Sequence, residues 1–196
     1  MLKNDLHFVF WVYNINVSTE NITFVNAYTE RGDCMNIEKY TQNAQSAIVE
    51  CQNIAISEGH QMLDGEHLHM ALLQQKDGLI PKLLQYNKVD VSSVIADLQA
   101  ELEKLPKVSG AADNMYSSRR LSQLLMRAEK IADQFKDEYV SVEHLYLALL
   151  DEKGTPSSKI FAKFGITKDN FLEALSKVRG NQRVTSQNPE DNYDAL

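Results

Sequence analysis

A shift of 77 positions lays one half of this 196-residue chain on the other without a gap. Asp64-Gly65-Glu66-His67-Leu68 falls on Ser141-Val142-Glu143-His144-Leu145, and Ala71-Leu72-Leu73 falls on Ala148-Leu149-Leu150. Ile54-Ala55 falls on Ile131-Ala132, Lys76 on Lys153, Lys82 on Lys159 and Leu98 on Leu175. Conservative matches (Leu63 with Val140, Val89 with Ile166, Val94 with Phe171) keep the same register. Two unrelated amphipathic helices would not hold one register through several helices and loops, so the chain is a tandem repeat. Each unit has about 60–65 residues, too few to bury much surface alone. The expectation is a single all-α body of eight helices, built as two four-helix repeats with pseudo-twofold symmetry.

Within the first copy, Ala44, Ile48, Cys51 and Ala55 recur at helical spacing, with Thr41 as N-cap and Gly59 as the stop. A second helix follows Asp64, carries Leu68, Leu72 and Leu73, and ends near Gly78. Pro81 falls in the first turn of a third. Asp90 caps a fourth, which bears Val94, Leu98 and Leu102 and runs out at Pro106. Residues 35–106 therefore form repeat 1, 107–116 a small and polar linker, and 117–180 repeat 2. Residues 1–34 are rich in Asn, Thr, Val and aromatics without helical period, and are expected to be an irregular or disordered extension.

Twenty Lys and Arg stand against 27 Asp and Glu, a net charge of −7. An acidic chain with no basic block is poorly suited to nucleic acid, whose phosphates need neutralising. No run reaches the roughly 18 apolar residues of a membrane span. Two cysteines, Cys34 and Cys51, make neither a disulfide framework nor a four-ligand zinc site, which points to a reducing, cytoplasmic compartment. His67 and His69 are two apart, so a helix points them to different sides, whereas a helical metal pair needs i, i+4 spacing. No metal site is expected. Each repeated histidine, His67 and His144, lies three residues past a cap and is expected to pack inward and bind a neighbouring backbone carbonyl. Glu66 and Glu143 lie in first turns, where negative charge meets the positive end of the helix dipole. The sequence holds no phosphate-binding Gly-x-x-x-x-Gly-Lys-Ser/Thr loop, no Gly-x-Gly-x-x-Gly and no Gly-x-Ser-x-Gly elbow.

The duplicated Glu-His-Leu signature resembles the N-terminal Clp repeat domain of the ClpB/Hsp100 AAA+ disaggregase chaperones. Tyr40-Thr41-Gln42-Asn43-Ala44, the bridge Leu105-Pro106-Lys107-Val108-Ser109-Gly110 and Glu143-His144-Leu145-Tyr146-Leu147-Ala148-Leu149-Leu150 carry the likeness. The resemblance implies a non-enzymatic substrate-recognition module for exposed hydrophobic segments of unfolded or aggregated proteins, acting in threading and refolding after heat stress. It implies substrate-binding roles for Thr41, Asp137 and Glu143; read on their own, Thr41 is an N-cap, Asp137 a solvated loop acid and Glu143 a partner of the helix dipole. It implies no cofactor in this chain, ATP and magnesium belonging to ATPase modules that are absent from it. Residues 181–196 are then the start of a linker toward such a module. Hsp70 cooperation and a homohexamer are expected only through the rest of a full-length family protein. The alternative from another class is adaptor docking, as in ClpC- and ClpA-type N-domains.

Overall fold

The computed structural model describes residues 36–109, 115–180 and 182–189. By internal contacts the chain divides into two units, Met1–Ile37 and Glu38–Leu196. The extension expected over 1–34 lies outside the described residues, as does Cys34. Everything below concerns the second unit.

Eight α-helices are described: α1 (Gln42–Glu58), α2 (Gly65–Gln74), α3 (Leu79–Tyr86), α4 (Val91–Leu102), α5 (Arg119–Phe135), α6 (Val142–Leu150), α7 (Pro156–Phe164) and α8 (Lys168–Arg179). Each of the first four starts 77 residues before its counterpart, so the fold is two tandem four-helix repeats. The caps repeat too. Thr41 caps α1 by accepting from the Ala44 N–H at 3.3 Å, and Ser118 caps α5 by accepting from the Leu121 N–H at 2.9 Å. Left-handed residues fall in matched pairs as well, Gly59 with Lys136 and Lys88 with Gly165. A helix that must stop in a left-handed turn prefers glycine, and each repeat supplies it at only one of these two stops.

The repeats are joined by an exchange of main-chain partners. Strand β1 (Met62–Leu63) pairs in parallel with β2 (Tyr116–Ser117), Leu63 opposite Ser117. Tyr40 and Val140, the counterparts of Ser117 and Leu63, form a second parallel bridge. Each repeat's leading strand thus pairs with the loop before the second helix of the other. Helices interlock the same way: α3 packs on α6 and α8, and α4 on α7. The central helices α2 and α6 are buried from Glu66 to Leu73 and from Val142 to Leu149. A helix with no exposed face belongs inside a sheath of others, and α1, α3, α5 and α7 all contact α2 or α6. His69 and its counterpart Tyr146 meet edge to face, ring centroids 5.6 Å apart, next to the pseudo-twofold axis.

Helix ends differ slightly from the sequence expectation. α2 stops at Gln74 and α4 at Leu102, each before the glycine or proline that marks the break. The first residues of the linker are fixed, since the Val108 N–H donates to the Gly59 carbonyl at 2.8 Å.

Candidate functional site

Thr41, Asp137 and Glu143 lie along one seam where repeat 1 begins and repeat 2 turns from α5 into α6. The Thr41 N–H donates to the Val140 carbonyl at 2.9 Å, which ties the start of α1 to the loop between the other two. Asp137 follows the left-handed Lys136 that ends α5. Glu143 is in the first turn of α6.

Asp137 and Glu143 are brought together by Arg179, the last residue of α8. Arg179 Nη2 donates to Asp137 Oδ1, and Nη1 lies 3.6 Å from Glu143 Oε1. The guanidinium also sits over the Phe135 ring, 5.7 Å from its centroid. His144 completes the group. Its Nδ1 accepts the Ser141 N–H at 3.0 Å, so the neutral ring carries its proton on Nε2, which faces Asp137 Oδ2 at 3.0 Å. Burial works to raise the Asp137 carboxyl, but hydrogen bonds from His144, Arg179 and the Val184 N–H outweigh it and hold Asp137 below the usual carboxylate range.

All three expected site residues are buried, with Thr41 and Glu143 at 0% exposure and the Asp137 side chain also at 0%. This corrects the reading of Asp137 as a solvated loop acid. α8 and the segment after it close over the carboxylate, a contact 42 residues away in sequence. The histidine expectation also changes. His67 and His144 accept a hydrogen bond from the N–H of the cap residue, Asp64 or Ser141, and do not donate to a carbonyl. Free N–H groups at a helix start need acceptors, and a neutral imidazole nitrogen supplies one.

Beside this network runs a shallow groove lined by Phe135, Leu172, Leu175, Ser176, Arg179, Gly180, Gln182 and Arg183. Its apolar wall and the polar network share Arg179. The sequence reading singled out neither Arg179 nor Val184. One signal for Arg179 was available: the 77-residue shift places it on Leu102, a core position of repeat 1. Asp137 likewise falls on His60. Among the described residues no group of three or more His, Cys, Asp or Glu is placed to hold a metal, and no helix is long and apolar enough to cross a membrane.

Comparison with known proteins gives one consistent relationship. The family model for the Clp repeat (R) N-terminal domain matches residues 39–164. The chaperone protein ClpB of Clostridium tetani is 44% identical over 165 residues, covering 83% of this chain and 19% of that protein. ClpB of Nitratidesulfovibrio vulgaris is 45% identical over 166 residues, with the same coverage. The chain therefore spans about a fifth of the length of these relatives. Among solved structures, the Hsp104 N-terminal domain from Candida albicans superimposes with a TM-score of 0.69 at 25% identity, covering 78% of this chain and 99% of that one.

Proposed function

The chain belongs to the Clp repeat N-terminal domain family, and from that premise we propose that it is the substrate-recognition domain of a ClpB-type chaperone. It binds exposed hydrophobic segments of unfolded or aggregated polypeptides in the cytoplasm and hands them on for ATP-driven threading and refolding under heat stress. The observation that carries this reading is the meeting of an apolar groove with a network of main-chain-binding groups at Arg179. Apolar side chains fill the groove while carboxylate and guanidinium satisfy backbone N–H and C=O groups. The curated relatives are ClpB chaperones, which favours client binding over adaptor docking.

Within the site we assign three distinct parts. Asp137 presents oxygen to the backbone of an extended chain. Glu143, fully buried, positions Arg179, and Thr41 fixes the start of α1 against the Val140 loop. The sequence contains no phosphate-binding loop, so nucleotide hydrolysis belongs to other modules of a full-length relative, as do hexamer formation and cooperation with an Hsp70 system. Single-site affinity is expected to be weak, because an unfolded chain loses conformational entropy on binding. Several linked copies offset this through effective concentration.

The test is a fluorescence-anisotropy titration with a reduced, alkylated and therefore permanently unfolded model protein, run beside its native form. The unfolded form alone should bind, and Asp137→Ala should weaken it at least fivefold with the helical circular-dichroism signal intact. Equal binding of both forms, or of neither, overturns the reading.

A further inference from the structure

The segment 182–187 turns back from α8 beside the groove, with Gln182 and Arg183 in the groove lining and the residues after them against Asp137 and the start of α1. Arg179 Nε donates to the Gln182 carbonyl at 2.7 Å. The Val184 N–H donates to Asp137 Oδ1 at 2.9 Å, and the Val184 carbonyl accepts from the Glu138 N–H at 2.9 Å. The Gln187 carbonyl accepts from the Gln42 N–H at the start of α1, also at 2.9 Å.

We propose that segment 182–187 is the resident occupant of the polypeptide site and that an unfolded client polypeptide displaces it. The proposal rests on the polypeptide-binding function above and adds its regulation. All four contacts just given engage the segment's main chain, which any extended polypeptide offers equally well. Val184 is the one residue of 182–187 that is buried, so the site reads a single aliphatic side chain and little else. The competing ligand is therefore an extended stretch with an aliphatic residue at the Val184 position and no fixed sequence around it. Unfolded proteins present such stretches, and native ones bury them.

Repeat 1 shows what the corner looks like without this arrangement. The position of Asp137 holds His60, whose Nδ1 is occupied by His67 at 2.9 Å. The counterpart of Val184 is Lys107, an exposed residue paired with Glu58 at 3.0 Å. Among the described residues no carboxylate there accepts a backbone N–H from the following segment. The clamp is a property of repeat 2.

A resident segment lowers apparent affinity by the fraction of time it covers the site. The test uses the whole chain and the permanently unfolded model protein. Hydrogen exchange of the Val184 amide is followed with and without a saturating amount of that protein. Displacement predicts at least tenfold faster exchange at Val184, with amides of α2 unchanged. In parallel, Val184→Gly should bind the unfolded protein at least fivefold more tightly than the unaltered chain. Unchanged Val184 exchange overturns the proposal, and so does a folded variant that binds no tighter; if the unfolded protein still binds in those cases, the polypeptide-binding reading stands. Absence of any binding overturns both. Should Val184→Gly fail to fold, the exchange measurement on the unaltered chain decides alone.

Discussion

The two corners where the first helix of each repeat turns into the second share a backbone but differ in charge. In repeat 1, His67 Nδ1 accepts the Asp64 N–H and its Nε2–H donates to His60 Nδ1, a buried and neutral pair. In repeat 2 the same path runs from Ser141 through His144 to Asp137, and then to Arg179 and Glu143, a buried and charged cluster. Repeat 1 closes its corner with a local histidine pair, in which His60 Nε2 has no hydrogen-bond partner among the described residues. Repeat 2 leaves a carboxylate whose remaining capacity is filled from outside the motif, by α8 and the backbone of Val184. Duplication supplies the scaffold, and the departures from symmetry supply the chemistry of the proposed binding site.

The largest effect should come from giving repeat 2 the residue of repeat 1. Arg179→Leu removes the cation between two buried carboxylates and should cost about 3–5 kcal/mol of unfolding free energy in a urea titration. Adding Asp137→His should restore part of that loss, a coupling of about 1–3 kcal/mol. An additive double variant would break the view of these residues as one network.

Acid should act on the two corners in sequence. Burial, with the His60 ring beside it, pushes His67 down to about 4, and burial pushes His69 down to about 3. Both values lie below the unfolded value of 6.5, so the folded state binds fewer protons. Their contribution is complete above pH 6.5 and is lost as pH falls toward 4 for His67, on the order of 3 kcal/mol, and toward 3 for His69. Asp137 is also held low, so its contribution is complete above the unfolded value of 3.8 and fades only as pH falls further. Urea titrations from pH 7 to 4 should show falling stability, and replacing His67 with Gln should flatten that slope. A slope unaltered by the substitution would contradict the neutral-pair reading.

Smaller effects come from the caps. Thr41→Ala should cost about 1 kcal/mol in thermal melts, as should Ser118→Ala at the matching position. Of the two, only Thr41→Ala should also weaken polypeptide binding. Lys136→Gly copies Gly59 into a left-handed turn and should stabilise by about 0.5 kcal/mol, raising the melting temperature slightly.

The helical plan was legible because the repeat states it twice. Thr41, Asp64 and Asp90 signal their helices locally, and their counterparts Ser118, Ser141 and Thr167 confirm the register. The exchanged strands were not legible, since two residues such as Met62–Leu63 carry no measurable period. Nor does composition reveal that 182–187 folds back. One buried valine amid polar residues reads as a linker, and the contact from Val184 to Asp137 spans 47 residues. The cluster of Asp137, Glu143, His144 and Arg179 is assembled by tertiary packing, which local pattern does not encode.

The most direct test of the central claim is an amide chemical-shift titration of the whole chain with the permanently unfolded model protein. The largest shifts should fall on Glu138, Val184 and Gln42 around the repeat 2 corner, with Gln61 and Arg119 at the symmetry-related positions unmoved. Shifts of equal size at both corners, or concentrated on the His60–His67 side, would contradict a binding function built on broken symmetry.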